Sequence, residues 1–155
     1  MIQFNQKSIK INILKGFMKF KKKNYTQQVD EMDWGYAALS MILKSYGTEK
    51  SLASLRLLAG TTIEGTSALG IKKAGEGLGF AVQVLRADAS LFDMKNVPYP
   101  FIAHIIKDQK YPHYYVITGA NENSVFIADP DPTVKMTKLS KEVFLSEWTG
   151  ISLFL

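Results

Sequence analysis

Gln28-Val29-Asp30-Glu31-Met32-Asp33-Trp34-Gly35-Tyr36-Ala37-Ala38-Leu39 opens the first structured stretch of the chain. Asp33 is a favourable N-cap residue. Ala37, Ala38, Met41, Ile42 and Leu43 give an apolar helical face, and Gly47 stands where a C-terminal cap belongs. A helix N-terminus offers backbone N–H groups and the positive end of the dipole, which favour a nucleophile. Gln28, a short way upstream, can add an oxyanion donor. Position 34, however, is Trp. Taken alone, the stretch reads as an ordinary capped helix with a half-buried aromatic.

Two more helices follow. Ser51 caps one carrying Leu52, Leu55 and Leu58, ended by Gly60. Thr66 caps another, running through Leu69, Ala74 and Leu78 to Gly79. Strands then take over: Phe80 to Ala87, Phe101 to Lys107, Tyr114 to Gly119 and Ser124 to Ala128. Asp108-Gln109-Lys110 and Asn121-Glu122-Asn123 are the intervening turns. After the turn Asp129-Pro130-Asp131-Pro132 come a short helix near Ser140 to Trp148 and a last strand, Ile151 to Leu155. Helices first and antiparallel strands second define an α+β fold.

Composition bounds the rest. A chain of 155 residues suits one domain, and chains of this size bury roughly 70% of their unfolded surface. Hydrophobic residues make up 46% and charged residues 21%, which excludes disorder. The absence of cysteine rules out disulfides, thiolate metal sites and a cysteine nucleophile in the chain as it stands. No His/Asp/Glu cluster suggests a metal. The net charge is +5, and Lys19, Lys21, Lys22 and Lys23 cluster. Such a cluster can meet nucleic acid or an anionic membrane, but no aromatic residues interleave with it, so a solvated segment is favoured and no nucleic-acid partner is expected. Residues 1–20 read as an N-terminal extension, in which Ile9, Ile11 and Ile13 alternate with polar residues as a short strand would, and residues 21–155 as the domain. Apolar runs are far below the roughly 20 residues of a membrane helix. The run Ile11 to Leu14 is too short for a signal-peptide core, so a cytoplasmic location is expected.

The chain has two histidines. His104 lies mid-strand among apolar neighbours and reads as a satisfied core histidine. His113 starts a strand, where a side chain can face a cleft. A hairpin closed at Asn121 and Glu122 puts His113 opposite Asp129-Pro130, roughly 5 Å away. A histidine beside a carboxylate is the base-and-orienter half of a catalytic triad. An Asp followed by Pro is also the composition of a simple turn, and this pair alone does not decide between the two.

Together these segments resemble one family. The run from Gln28 to Leu39 resembles the nucleophile segment of the double-glycine leader peptidase domain, which stands at the N-terminus of peptidase-containing ABC transporters and normally carries Cys before Gly35. Gly65-Thr66-Ser67-Ala68-Leu69-Gly70, Pro112-His113-Tyr114-Tyr115-Val116-Ile117-Thr118-Gly119, Ile127-Ala128-Asp129-Pro130-Asp131-Pro132 and Glu147-Trp148-Thr149-Gly150 match its other landmarks. The resemblance covers residues 20 to 155 and is closest to streptococcal-type competence and bacteriocin exporters. It implies a papain-like fold, with Gln28 in the oxyanion hole, His113 as general base and acid, Asp129 orienting it, and Trp34 at the nucleophile position. It further implies a precursor peptide as substrate, with an amphipathic-helix leader ending in Gly-Gly and cut after the second glycine. The leader helix would lie in an apolar groove. Membrane and ATP-binding domains of the same transporter, on the cytoplasmic face of the plasma membrane, are the implied partners. ATP and Mg belong to the nucleotide-binding domain, and this domain needs no cofactor.

Trp34 departs from that pattern. It has no nucleophilic atom, and its indole is expected to fill the cleft. Losing a triad nucleophile costs on the order of a millionfold in turnover in a serine protease. Ser40 lies nearly two helical turns away and does not replace it. The chain as it stands is therefore expected to be inactive. Trp and Cys codons differ by one base, and Gln28, His113 and Asp129 are all present, which favours an altered peptidase over a natural substrate-docking pseudoenzyme or a modified cysteine.

Overall fold

A computed structural model of the chain describes residues 20–30, 32–59 and 67–155. The extension expected over residues 1–20 thus lies, apart from Phe20, outside the described residues. So does the Gly60 stop.

Three helices come first: α1 (Trp34–Ser45), α2 (Leu52–Ala59) and α3 (Ala68–Gly77). Gly47 ends α1 as its sequence requires. Its φ of 81° is left-handed, and Thr48 N–H returns to the Leu43 carbonyl at 2.9 Å. Ser51 caps α2, its Oγ accepting Ser54 N–H at 3.1 Å. The cap of α3 is Ser67 rather than the expected Thr66: its Oγ accepts Gly70 N–H at 3.0 Å, three residues on, where a cap acts. Asp33 precedes α1 but makes no side-chain cap. Its carboxylate is fully buried and accepts Arg56 Nε of α2 at 2.7 Å. A guanidinium compensates a buried charge better than a single backbone N–H does.

The second half is a six-stranded antiparallel sheet in the order β1-β6-β2-β3-β4-β5. Its strands are β1 (Gln83–Arg86), β2 (Phe101–Lys107), β3 (Tyr111–Ala120), β4 (Ser124–Ala128), β5 (Met136–Ser140) and β6 (Trp148–Phe154). Helix α4 (Lys141–Glu147) separates the last two, with Ser140 Oγ accepting Val143 N–H at 3.2 Å.

Alternation along the strands splits the core. Ile102, Tyr114, Val116, Ala128 and Leu153 face α1 to α3. Phe101, Ala103, Ile105, Tyr115, Ile117, Val125 and Ile127 face the opposite side, closed by Leu91 and by Phe144 of α4. Covered on both faces, the central strands are continuous apolar runs, which is why the sequence marks them plainly.

Differences from the sequence reading lie at the sheet margins. The stretch Phe80 to Val82 does not join β1. Phe80 N–H closes α3 on the Gly75 carbonyl at 3.1 Å instead. β6 begins at Trp148 rather than Ile151, with a register shift against β2 between Ala103 and Ile105. β5 carries no alternating apolar signal in the sequence, because it is an edge strand with four of its five residues exposed. The β3–β4 register also runs one residue beyond the hairpin estimate. Val116 faces Ala128, after a bulge between Ile117 and Gly119. The turn closes from Asn121 N–H to the Ser124 carbonyl, and Asn121 Oδ1 accepts the N–H groups of Asn123 and Ser124.

Candidate active site

The segment before α1 is tied to the loop after β4. Gln28 N–H donates to the Pro130 carbonyl at 3.0 Å, and Tyr25 Oη to the Asp131 carbonyl at 3.4 Å. A tight turn delivers Trp34. Asp33 N–H bonds the Asp30 carbonyl at 3.1 Å, and Met32 N–H bonds Asp30 Oδ1 at 2.8 Å. Arg56 clasps both carboxylates, contacting Asp33 and lying 2.9 Å from Asp30. Trp34 is consequently the first residue of α1, at its positive end.

The sheet supplies the facing groups. His113, 3% exposed, lies near the start of β3. Its Nε2 is 2.5 Å from Oδ1 of the fully buried Asp129. An ionised carboxylate only accepts, so Nε2 carries the proton and Nδ1 is the basic nitrogen of the neutral ring. The imidazole makes T-shaped contacts with two aromatic rings, Trp34 at 4.8 Å and Tyr115 at 5.6 Å between centroids.

Asp129 is held on every side. Its Oδ1 also accepts Asp131 N–H at 2.9 Å, its Oδ2 accepts Lys107 Nζ at 2.6 Å, and its own N–H donates to the Lys135 carbonyl at 2.8 Å. Burial alone pushes its carboxyl upward, but the bond and charge of His113, followed by Lys107 and the Asp131 N–H, outweigh it. The carboxyl therefore sits below the ordinary carboxylate range. Asp129 is ionised at neutral pH.

Gln28, Trp34, Lys107, Asp108, Tyr111, His113 and Asp131 line a cleft of about 400 Å³. The sequence-derived residues Gln28, Trp34 and His113 thus meet in one cleft, with Asp129 directly behind His113. Gln28 Oε1 is buried and has no hydrogen-bond partner among the described residues. His104 is elsewhere. Its Nδ1 lies 3.0 Å from Thr149 Oγ1, which donates to the His104 carbonyl at 3.1 Å. With that hydroxyl proton already committed, Nδ1 is the donor of the pair. Burial pushes the His104 imidazole downward.

Lys107, Tyr111 and Asp131 were missed. Lys107 was discoverable: the turn at Asp108-Gln109-Lys110 sets the β2–β3 register, in which Ile105 opposes His113 and Lys107 opposes Tyr111. That register puts a cation at the histidine's end of the sheet. Among the described residues, no group of three or more His, Asp or Glu side chains is placed to hold a metal ion.

A helical half followed by an antiparallel sheet, with a helix N-terminus set against a His–Asp pair from the sheet, is the papain-like architecture. The Peptidase C39 family model matches residues 22–155, and the chain belongs to that family of cysteine peptidases. It is 94% identical over 138 residues to the lactococcin transport/processing ATP-binding protein LcnC-like of Lactococcus lactis subsp. lactis (strain IL1403). That match covers 89% of this chain and 19% of that protein, so the chain spans about a fifth of the length of the curated relatives it matches. Among solved structures, the peptidase domain of Streptococcus ComA, described as a bi-functional ABC transporter involved in quorum sensing, superposes with a TM-score of 0.80 at 47% identity. The match covers 83% of this chain and 94% of that one. A double glycine motif protease from an AMS/PCAT transporter, solved in complex with its leader peptide, gives 0.72 at 27% identity, covering 83% and 86%.

Proposed function

We propose that residues 21–155 are the leader-peptidase domain of a bifunctional exporter for a bacteriocin or quorum-sensing peptide, in a form inactivated at Trp34. The observation that carries this reading is the buried His113–Asp129 pair, complete at 2.5 Å, with Trp34 at the helix start presenting its ring 4.8 Å away. A Cys thiolate at position 34 would sit at the helix N-terminus, against imidazolium, where thiol pKa values fall.

With that thiolate, the chemistry is peptide hydrolysis. Sulfur attacks the carbonyl of the second glycine in a Gly-Gly leader end. Gln28 donates to the developing oxyanion, and His113 Nδ1 passes a proton to the leaving amine. Asp129 keeps the imidazole oriented, and water then attacks the thioester with His113 as base. On this reading the cleft takes the glycine end of the leader, and an apolar surface grips the amphipathic leader helix. In the full-length protein the domain works at the cytoplasmic face of the plasma membrane, beside membrane-spanning domains and an ATP- and Mg-binding domain of the same chain. Trp34 has no atom that attacks a carbonyl, so the chain as it stands does not cut the precursor; the alternative reading is a docking module that recruits it.

The test is incubation of a double-glycine precursor peptide with this chain and with Trp34→Cys, read by mass spectrometry. Cleavage after the second glycine by Trp34→Cys alone supports the reading. Leader binding by both forms with cleavage by neither assigns a docking module that recruits the precursor, and absence of both binding and cleavage rejects the reading.

A further inference from the structure

Asp129 has two basic partners in this site, and on the reading above only one of them takes part in proton transfer. Asp129 is fully buried, and its Oδ1 serves His113 while its Oδ2 accepts Lys107 Nζ at 2.6 Å. Lys107 is at the end of β2, with its side chain 23% exposed and its ammonium 5.3 Å from the centre of the Tyr115 ring. Every hydrolytic cycle takes His113 between imidazolium and imidazole. When the imidazole is neutral, a buried carboxylate whose sole counter-ion was His113 would be left uncompensated, which is costly enough to drive proton uptake or rotation of the group. A lysine ammonium ordinarily keeps its charge across the neutral range.

We propose that Lys107 is a positioning residue of this site, a permanent counter-ion that keeps Asp129 ionised and its Oδ1 directed at His113 through both protonation states of the imidazole. The proposal deepens, and rests on, the reading of His113 and Asp129 as base and orienter. The other titratable groups facing Asp129 do not supply this charge. Tyr25 from the N-terminal segment and Tyr115 from β3 are phenols raised by burial, and Asp131 is a second acid. Tyr115 Oη is also engaged, donating to Glu147 Oε2 at 3.0 Å.

Two measurements test it, and the first needs no catalysis. In the chain as it stands, the Asp129 carboxyl carbon is followed by NMR against pH for Lys107→Met, Lys107→Gln and Lys107→Arg. The neutral variants are expected to move its titration upward by about one pH unit, and the arginine variant, which keeps the charge, to stay near the parent. An unmoved Asp129 titration in whichever neutral variant folds overturns the proposal. In a Trp34→Cys background, the acid limb of the kcat/KM profile for a double-glycine peptide is expected to move up with the carboxyl. A uniform fall at every pH, with the limb unmoved, also overturns it. Should Trp34→Cys cleave nothing, the peptidase reading fails, while the carboxyl titration still decides the charge role of Lys107.

Discussion

The indole of Trp34 meets the imidazole of His113 edge-on, with ring centroids 4.8 Å apart and planes at 67°. This contact joins the first residue of α1 to the start of β3 across the cleft that both residues line. A side chain at position 34 therefore feels both the helix N-terminus and His113. The thiol of Trp34→Cys is expected to react with iodoacetamide down to about pH 6, where an ordinary thiol of pKa about 8.5 is almost wholly protonated. His113→Ala in the same background should return the reactivity to the ordinary alkaline range. Alkylation profiles that coincide with and without His113 would show that residue 34 and the imidazole are not electrostatically coupled.

The Arg56–Asp33 clasp fixes the turn that delivers residue 34. Asp33 is wholly buried, whereas the Arg56 side chain is 35% exposed. Arg56→Met strands the carboxylate and is expected to destabilise the chain by about 2 kcal/mol. That is less than for a fully buried pair, because water partly screens the guanidinium. Adding Asp33→Asn removes the stranded charge, so the double variant should lose clearly less than the sum of the two single changes in urea unfolding. Strict additivity would mean the two side chains stabilise the turn independently.

These residues also mark how far the sequence could be read. The helical half was legible because Gly47 and Ser51 are residues whose capping chemistry is local, and the central strands because both their faces are buried. Gln28, Trp34 and His113 are legible as a set through the order and spacing of motifs, and the β3–β4 hairpin brings Asp129 to His113 although its register runs one residue beyond the estimate. Asp33 has the composition of a cap, and nothing local to it reveals that Arg56 arrives from another helix. β5 and Lys107 escaped for a related reason. An exposed edge strand has no period-2 signal, and a strand-end lysine looks solvated until the sheet order puts it beside a buried carboxylate.

Acid should loosen the site through Asp129. Its folded carboxyl titrates below the ordinary value, against the pull of burial, because His113, Lys107 and the Asp131 N–H favour the ionised form. The unfolded chain then binds a proton at higher pH than the folded one. The resulting stabilisation is full above the unfolded value of about 4 and is lost as pH falls through the lower folded value. Thermal melts between pH 7 and pH 2 are expected to drop most steeply below about pH 4. Asp129→Asn should be less stable at neutral pH and should fall less steeply in that acid window. An equally steep acid fall in Asp129→Asn would assign the sensitivity to other carboxylates.

Gly150 supports the sheet at the opposite margin, where a side chain is excluded twice over. Its φ of 87° is left-handed, and a Cβ built there would stand 2.6 Å from the Ala87 carbonyl oxygen, a backbone atom that cannot swing aside. The same stretch anchors β1 to β6, since Ala87 N–H donates to the Gly150 carbonyl at 2.8 Å. Gly47 shares the conformation, with φ of 81°, but has open space around the missing Cβ. Gly47→Ala should therefore cost only the left-handed strain of about 1 kcal/mol. Gly150→Ala adds overpacking of about 1–3 kcal/mol to that strain. Parallel urea titrations are expected to rank Gly150→Ala as the more destabilised by at least about 1 kcal/mol. Equal losses at the two positions would mean that the Ala87–Gly150 backbone contact gives way and that the start of β6 is softer than its hydrogen bonds suggest.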